Sequence, residues 1–551
     1  MKERNPREAA PVIGGRAGGK KIVWLVLDAA GYEITTRCIR SGVCPALSAI
    51  EEQGYLGPSR PPEPNCETPP ALRALFSGSP PAESGIWGYQ MPDYRGRLER
   101  SVSGFGVSIG GETPIWEELE RRGRSYTLLN AAFRRDPVWG RGSSGYDLIL
   151  DSYRNHRPDS NWIGLDARGE RFAIDGAALG IEAGEDHVRV CRGSRLLASL
   201  APGEIRPLRL SRKASAVGYS NGRCLFLSTS SRPHLRISRQ LRSEAAQLIP
   251  ATIHHGSLFR HSRREGGLSI DEEMRLSEYV TAQMGELALT CLRKLSSDLT
   301  ILYFSLIDEL GHVYLDQIEA LWPEGRAAEL LRRCYRLLDS YIAKIMDSLG
   351  RTSLGRTSPG ESTLLVLSSD HGQAPFRRVL HINDLLVEAG LVRTSSGGAK
   401  GGKTNEGYDL SRSVAYYHPA NCGQVVVNPR QAKKAGLTRQ QIGERVLGCL
   451  ARANDSFGSE IAHLWGDEND PFLLFLYPRS DTHLSGRYRA GADVVDTDLM
   501  GGQHLSPLCP TPWMQAMLAF WSPTGLPFDK GAVPDRNTRV KEFLLGYLFA
   551  R

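Results

Sequence analysis

Three segments read as short, almost unbroken apolar runs that stop at an acidic residue. Lys20–Leu27 (KKIVWLVL) ends at Asp28-Ala-Ala-Gly31, Asp298–Ile307 (DLTILYFSLI) runs into Asp308, and Ser362–Ser369 (STLLVLSS) runs into Asp370-His371-Gly372. Runs of this length without polar alternation suit parallel strands buried on both faces. Ligands of open parallel sheets gather at the carboxyl ends of strands, so three strands predicted to bring carboxylates to one edge form a single signal. Helical patterns separate them. Thr113–Arg122 (TPIWEELERR) opens on Thr-Pro and stops before Gly123, while Met274–Leu295 and Ala327–Leu349 place apolar residues at three- and four-residue spacing. The alternation predicts an α/β fold with a doubly wound, mostly parallel sheet flanked by helices.

Two stretches break that alternation. From about Asp166 to Ile237, short β-like runs (HVRVC, LASLA, CLFLS) are punctuated by Gly, Asn and Pro, which predicts a β-rich insertion over 161–239. From Val414 to Tyr488, VVVN, a helical Leu437–Ala453 and FLLFLY predict a small α/β cap unit over 414–488. The core is then expected from 20–160, 240–413 and 489–551. Residues 1–19 form a basic, Gly-rich tail without an apolar signal region, and Ser395–Gly407 reads as a flexible loop.

Composition narrows the chemistry. The 551 residues contain ten cysteines with no C-x-x-C pair, so reduced thiols in a cytoplasmic protein are expected and metal ligands would have to be His and carboxylate. No apolar run approaches the length a membrane helix needs. The net charge of +7 (68 basic, 61 acidic) comes in short groups rather than one cationic run. It suits attraction of a small anionic substrate; no specific nucleic-acid recognition is expected.

The candidate site residues each have an ordinary structural explanation. Asp28 suits a turn or helix cap. Thr68 stands before Pro69, where a plain helix start competes with an anion site made of free backbone N–H groups. Asp308 and His312 lie four apart, on one side of a helical turn, with Gly311 leaving room beside the second. Asp370 and His371 follow a buried strand, and His504 ends the Gly-rich Met500-Gly-Gly-Gln-His504. Together they make three Asp, three His and a Thr hydroxyl, an inventory that suits two divalent ions of the Zn²⁺ type, with Mn²⁺ or Fe²⁺ as alternatives. Two such ions can stabilise both the attacking and the leaving oxygen of an in-line displacement.

The ordered series LVLDAAG, T-P-P-x-L-R-x-L-F-S-G-x-x-P-x-x-S-G-I-x-G, D-E-L-G-H, S-D-H-G and G-G-Q-H resembles the alkaline phosphatase superfamily, most closely its type I phosphodiesterase and nucleotide pyrophosphatase branch. The segment His381–Gly390 is similar to the helix that follows the D-H-G motif there. The resemblance implies an alkaline-phosphatase-like core and a metal-dependent hydrolase of phosphodiester or pyrophosphate bonds. One metal would be held by Asp308, His312 and His504, the other by Asp28, Asp370, His371 and Thr68. Thr68 would attack phosphorus and form a phospho-threonine that water hydrolyses. Two departures stand out. Ser84-Gly85-Ile86 replaces a usual His-Gly-Ile, and Tyr89 with Gln90 stands where the diesterase branch carries a phosphoryl-binding Asn. Tyr89 and Gln90 are therefore the candidate substrate-binding residues, with Arg95 and Arg97 following. A phosphomonoesterase or phosphonate hydrolase using the same site is the alternative, and a non-catalytic binding protein the third reading. A sulfatase is disfavoured, because Cys66-Glu-Thr-Pro69 does not match C-x-P-x-R.

Overall fold

The computed structural model describes residues 19–93, 97–106, 111–131, 145–151, 160–164, 171–174, 177–184, 186–209, 214–222, 224–231, 234–238, 268–355, 362–395, 407–419, 423–457, 460–464, 472–478, 481–488, 495–496, 501–509 and 511–550. The N-terminal tail, nearly all of the Ser395–Gly407 loop, and Arg95 lie outside these residues.

The centre is an eight-stranded sheet. Across it run His234–Ile237, Tyr146–Asp151, Tyr126–Leu129, Leu299–Phe304, Lys21–Leu27, Thr363–Ser368, Ala516–Trp521 and Tyr55–Ser59. The five strands from Tyr146–Asp151 to Thr363–Ser368 are mutually parallel, and His234–Ile237 and Ala516–Trp521 run antiparallel to their neighbours. Lys21–Leu27 sits between the two other motif-bearing strands, pairing Leu27 with Phe304 on one side and Val26 with Ser368 on the other. This is the doubly wound α/β architecture of the sequence pattern.

Side-chain alternation explains why the strand is apolar throughout. Val23, Leu25 and Leu27 pack into a core with the helices Tyr32–Arg40, Pro45–Gln53, Ile270–Lys294, Leu306–Leu321 and Gly325–Gly355. Ile22, Trp24 and Val26 face the opposite core, built with the helices Thr68–Ser77, Ile115–Arg121 and Val540–Phe549. Trp24 is fully buried there; it meets Phe76 edge-on at 5.4 Å and donates its indole N–H to Ser368 Oγ at 2.8 Å. A helix layer on each face leaves the strand no polar side.

The β-like runs of the insertion form two four-stranded sheets. One joins Arg195–Leu200, Val188–Arg192, Ala177–Ala183 and Arg171–Ile174; the other joins Ile205–Leu208, Ala214–Ser220, Cys224–Ser231 and Ser160–Gly164. They share a small apolar core that includes Leu179, Val190, Leu200, Leu208 and Leu225. Further along, Ala415–Tyr417, Gln424–Val427, Phe472–Tyr477 and Glu460–Leu464 make another four-stranded sheet. It is packed with Ile442 and Val446 of the Arg439–Phe457 helix and with Ile382 and Leu386. Cys38, Cys44, Cys66, Cys191, Cys291, Cys334, Cys449 and Cys509 are free and buried. Among the described residues, no helix is long and apolar enough to cross a membrane.

One expected strand is shorter than its hydrophobicity suggests. The run Asp298–Ile307 pairs only over Leu299–Phe304, and the chain turns helical at Leu306. Asp308 therefore rides the first helical turn rather than a strand end. Leu306 and Ile307 are apolar because the helix buries them, a distinction that a continuous apolar run does not carry.

Candidate metal and phosphoryl-transfer site

Asp28 and Asp370 follow adjacent parallel strands, so their carboxyls arrive side by side. Both are buried, and the turns that carry them lie close, a Cβ on Gly31 falling 2.9 Å from the Gly372 Cα. The Ala29 N–H points at Asp370 Oδ1 at 3.3 Å, with Ala29 held at a φ of 54°, in a region an alanine adopts only at a cost of about 1–2 kcal/mol. Gly372 allows a third segment to close in. A Cβ there would lie 2.0 Å from the Trp513 carbonyl oxygen. Asn537, far away in sequence, donates its amide to the Asp370 carbonyl at 2.7 Å and accepts from Ser59 Oγ at 2.7 Å.

His371 Nε2 is the convergence point. It lies 3.4 Å from Asp28 Oδ1, 3.3 Å from Asp370 Oδ2 and 3.4 Å from Thr68 Oγ1. Its Nδ1 is 3.0 Å from the Gly372 carbonyl, an acceptor, so Nδ1 carries the proton and Nε2 presents a lone pair to the two carboxylates. Burial, then the neighbouring His504, pushes the His371 pKa well below the usual range, which keeps the ring neutral.

The second cluster is built on the Leu306–Leu321 helix. His312 Nε2 is 3.3 Å and His504 Nε2 3.2 Å from Asp308 Oδ1, and the two Nε2 atoms are 2.9 Å apart. His312 Nδ1 donates to the Gly502 carbonyl at 3.0 Å, so its Nε2 also faces inward as a lone pair. His504 follows the short strand Gly501–Gln503, which pairs with Ala374–Phe376 just beyond the Asp370 turn. His371 stacks on His504 with centroids 4.1 Å apart, so the two clusters are contiguous. Ligand atoms of Asp308, His371 and His504, and of Asp28, Asp370 and His371, each lie within 4.8 Å of one another. All seven residues named as ligands from the sequence come together.

The electrostatics are those of a site short of positive charge. Burial, with the Asp370 and Asp308 charges added, drives the Asp28 pKa well above the carboxylate range. Asp370 is raised to about 7, first by burial and then by Asp308. Asp308 goes the other way: burial pushes it up, but the imidazoles of His312 and His504 hold it well below. Asp28 Oδ1, Asp370 Oδ2 and His504 Nδ1 are buried without a hydrogen-bond partner. Lone pairs aimed at one another across about 3 Å, with buried oxygens left over, fit divalent cations bound by mixed N and O donors.

Thr68 opens its helix, Thr68–Ser77, as the first helical residue; the cap position is Glu67. The free backbone N–H groups expected beside it are scarce. Pro69 and Pro70 have none, and the Ala71 N–H is bonded to the Glu67 carbonyl at 3.0 Å. The anion site at this helix end is thus reduced by its own sequence. Tyr89 and Gln90 are brought next to the turn through Glu67, whose Oε2 accepts the Tyr89 N–H at 2.7 Å, and through Asn65, whose amide donates to the Trp87 carbonyl. The Tyr89 ring is 41% exposed and meets Phe105 edge-on at 5.4 Å; Gln90 begins a strand paired with Ser101–Ser103. Arg97 is exposed.

Sequence reasoning missed the groups that hold the ligands. Tyr303 donates its hydroxyl to Asp28 Oδ2, and it is the one residue of the apolar LTILYF strand able to do so besides Thr300. Gln373 donates to Asp308, and its place directly after S-D-H-G was a usable signal. Asn537 had none.

Residues 237–453, which include Asp308, His312, Asp370 and His371, match the family described as type I phosphodiesterase / nucleotide pyrophosphatase. Phosphonoacetate hydrolase from Sinorhizobium meliloti 1021, solved with phosphonoacetate, is similar in structure at a TM-score of 0.50 with 14% identity, over 98% of each chain. Murine ectonucleotide pyrophosphatase / phosphodiesterase 5 aligns at a TM-score of 0.46 with 12% identity, over 96% of this chain and 95% of the other. No curated protein is significantly similar in sequence. Residues 237–453 thus match the type I phosphodiesterase / nucleotide pyrophosphatase family, and the chain as a whole has a fold similar to that of phosphonoacetate hydrolase.

Proposed function

We propose that the protein is a two-metal hydrolase of phosphodiester or pyrophosphate bonds that works through a phospho-threonine on Thr68. The observation that carries this reading is the convergence of Asp28, Asp370 and Thr68 on His371 Nε2, next to the Asp308–His312–His504 cluster. Asp308, His312 and His504 would hold one ion, and Asp28, Asp370, His371 and the Thr68 oxygen the other. Zn²⁺ suits the donors best, with Mn²⁺ or Fe²⁺ as alternatives. Bound there, the ions would lower the pKa of the Thr68 hydroxyl and neutralise charge on the phosphoryl and leaving oxygens.

The chain's own part follows from its geometry. Burial at the helix start fixes the Thr68 hydroxyl, so that its oxygen can approach phosphorus in line with the leaving oxygen. The Oγ–P bond forms as the leaving-group oxygen–P bond breaks, and water then attacks phosphorus to release the monoester and restore Thr68. Because Pro69 and Pro70 withhold backbone donors, phosphoryl oxygens need side-chain partners, and Gln90 and the Tyr89 hydroxyl are the candidates. The units over 161–239 and 414–488 would shape access for the rest of a small anionic phosphate ester.

A phosphomonoesterase or phosphonate hydrolase is the second reading. Its support is the Tyr89–Gln90 pair in place of the Asn of the diesterase branch, together with the structural likeness to a phosphonate-cleaving enzyme. Turnover of bis-para-nitrophenyl phosphate against para-nitrophenyl phosphate and phosphonoacetate, with Zn²⁺ or Mn²⁺ present, separates the two. Thr68→Ala is expected to lower kcat by at least a thousandfold on the preferred substrate, the scale at which losing a nucleophile acts. Wild-type turnover in that variant sinks the phospho-threonine mechanism. Metal-loaded protein inert toward every ester leaves the non-catalytic binding protein.

A further inference from the structure

We propose that Gln373 is a positioning residue that fixes Asp308 for metal binding and so ties the two ligand sets into one unit; the inference rests on the two-metal reading above. Gln373 is buried and follows the Asp370-His371-Gly372 turn directly. Its Nε2 donates to Asp308 Oδ1 at 2.7 Å and to the Asp308 carbonyl at 3.1 Å. Both partners are acceptors, so the amide orientation is determined: turned over, its oxygen would face two oxygens.

The neighbouring helix is cut to fit this side chain. Gly311 lies one turn along from Asp308, and a Cβ there would sit 1.7 Å from Gln373 Oε1. The gap beside His312 is therefore filled by the Gln373 carboxamide. Immediately after Gln373, Ala374–Phe376 pairs with Gly501–Gln503, the strand that delivers His504, and Gly502 in that strand accepts from His312 Nδ1. One seven-residue segment thus carries two ligands of one set and contacts the carriers of all three ligands of the other. Gln373 is the only member of the segment that reaches a ligand carboxylate of the second set through its side chain among the hydrogen bonds described. An N–H donor on Asp308 Oδ1 favours the ionised carboxylate and fixes which way it faces.

A packing role and a positioning role are separated by two substitutions in the full-length protein. Q373L keeps the bulk and removes the donor. Q373E keeps the shape but sets a second carboxylate against Asp308. Zn²⁺ uptake is titrated against a competing chelator, with thermal unfolding of each metal-free protein as the check on folding. The wild type is expected to take two equivalents. Both variants are expected to keep one tight site and weaken the other by roughly 10–100-fold, with Q373E the weaker of the two. Should Q373L fail to fold, Q373N, an amide one methylene too short to bridge, is expected to show the same loss at one site. Two sites of wild-type affinity in Q373L overturn the inference alone, as does tighter binding by Q373E than by Q373L. A wild type that takes up no Zn²⁺ overturns the two-metal reading together with it.

Discussion

Replacing Asp370 by Asn is expected to stabilise the metal-free protein while abolishing its activity. The Asp370 carboxyl is raised from 3.8 to about 7 by burial and by the charge on Asp308, with the N–H of Ala29 only partly offsetting this. The folded state then holds its proton more tightly than the unfolded chain. The contribution is absent below about pH 4, destabilises progressively as pH rises toward about 7, and is constant above that. A gap of about three units corresponds to about 4 kcal/mol of destabilisation at pH 8 in the metal-free protein. Asn carries no charge and keeps an acceptor for Ala29, but its NH₂ group faces the crowded carboxylates of the site, so a net gain of about 1–3 kcal/mol is expected. Urea unfolding in the presence of a chelator, at about pH 8 and again at about pH 5, measures this. The D370N midpoint should exceed that of the wild type at the higher pH, and the gap should shrink at the lower. With Zn²⁺ the order should reverse, since the wild type gains about 4.1 kcal/mol at a metal concentration of about 1,000 Kd and the variant forfeits it. A D370N protein less stable than wild type in chelator at pH 8, or a gain that does not depend on pH, refutes the claim that metal-free Asp370 is an unfavourably buried charge.

Other outcomes follow from single contacts. Tyr303→Phe deletes the hydroxyl that donates to Asp28 and is expected to weaken Zn²⁺ binding roughly 10–100-fold at one site, and to cost about 1–3 kcal/mol of metal-free stability by leaving a buried carboxyl oxygen unsatisfied; chelator competition and urea unfolding read the two. Gly372→Ala drives a methyl to within 2.0 Å of the Trp513 carbonyl oxygen, and because the neighbour is backbone it should cost about 2 kcal/mol or more, seen as a lowered urea midpoint. His418 is buried and its pKa is lowered by that burial to about 4, while Nε2 donates to the Leu98 carbonyl at 3.1 Å. The unfolded chain takes up this proton below about pH 6.5, so about 3 kcal/mol should be lost between there and about pH 4, and H418Q should show a flatter acid profile in urea unfolding.

The amino-acid sequence pointed to the main strands and helices and to the candidate ligands, because each of these is written locally. Ile22–Leu27 can only be a strand covered on both faces, and its two side-chain sets do enter two separate cores. Asp28, Asp370 and His371 could be placed from the ends of such strands, and Thr68 from the Pro69 that follows it. The free backbone donors expected at that helix start were not realised, because Pro69 and Pro70 have no N–H and the Ala71 N–H is bonded to the Glu67 carbonyl. What a local pattern cannot carry is distance between segments. Where the apolar run before Asp308 changes from strand to helix depends on which faces the neighbouring helices cover. The approach of His504 to His312 depends on Gly501–Gln503 pairing with Ala374–Phe376, more than a hundred residues apart. The tertiary structure alone decided that Tyr303, Gln373 and Asn537 would hold the ligands, since each acts through a hydrogen bond across a long sequence separation. The same folding gathered three carboxylates and three imidazoles, with the Nε2 lone pairs of His312 and His371 facing inward. That is the physical reason a set of individually ordinary residues becomes a candidate site for cations.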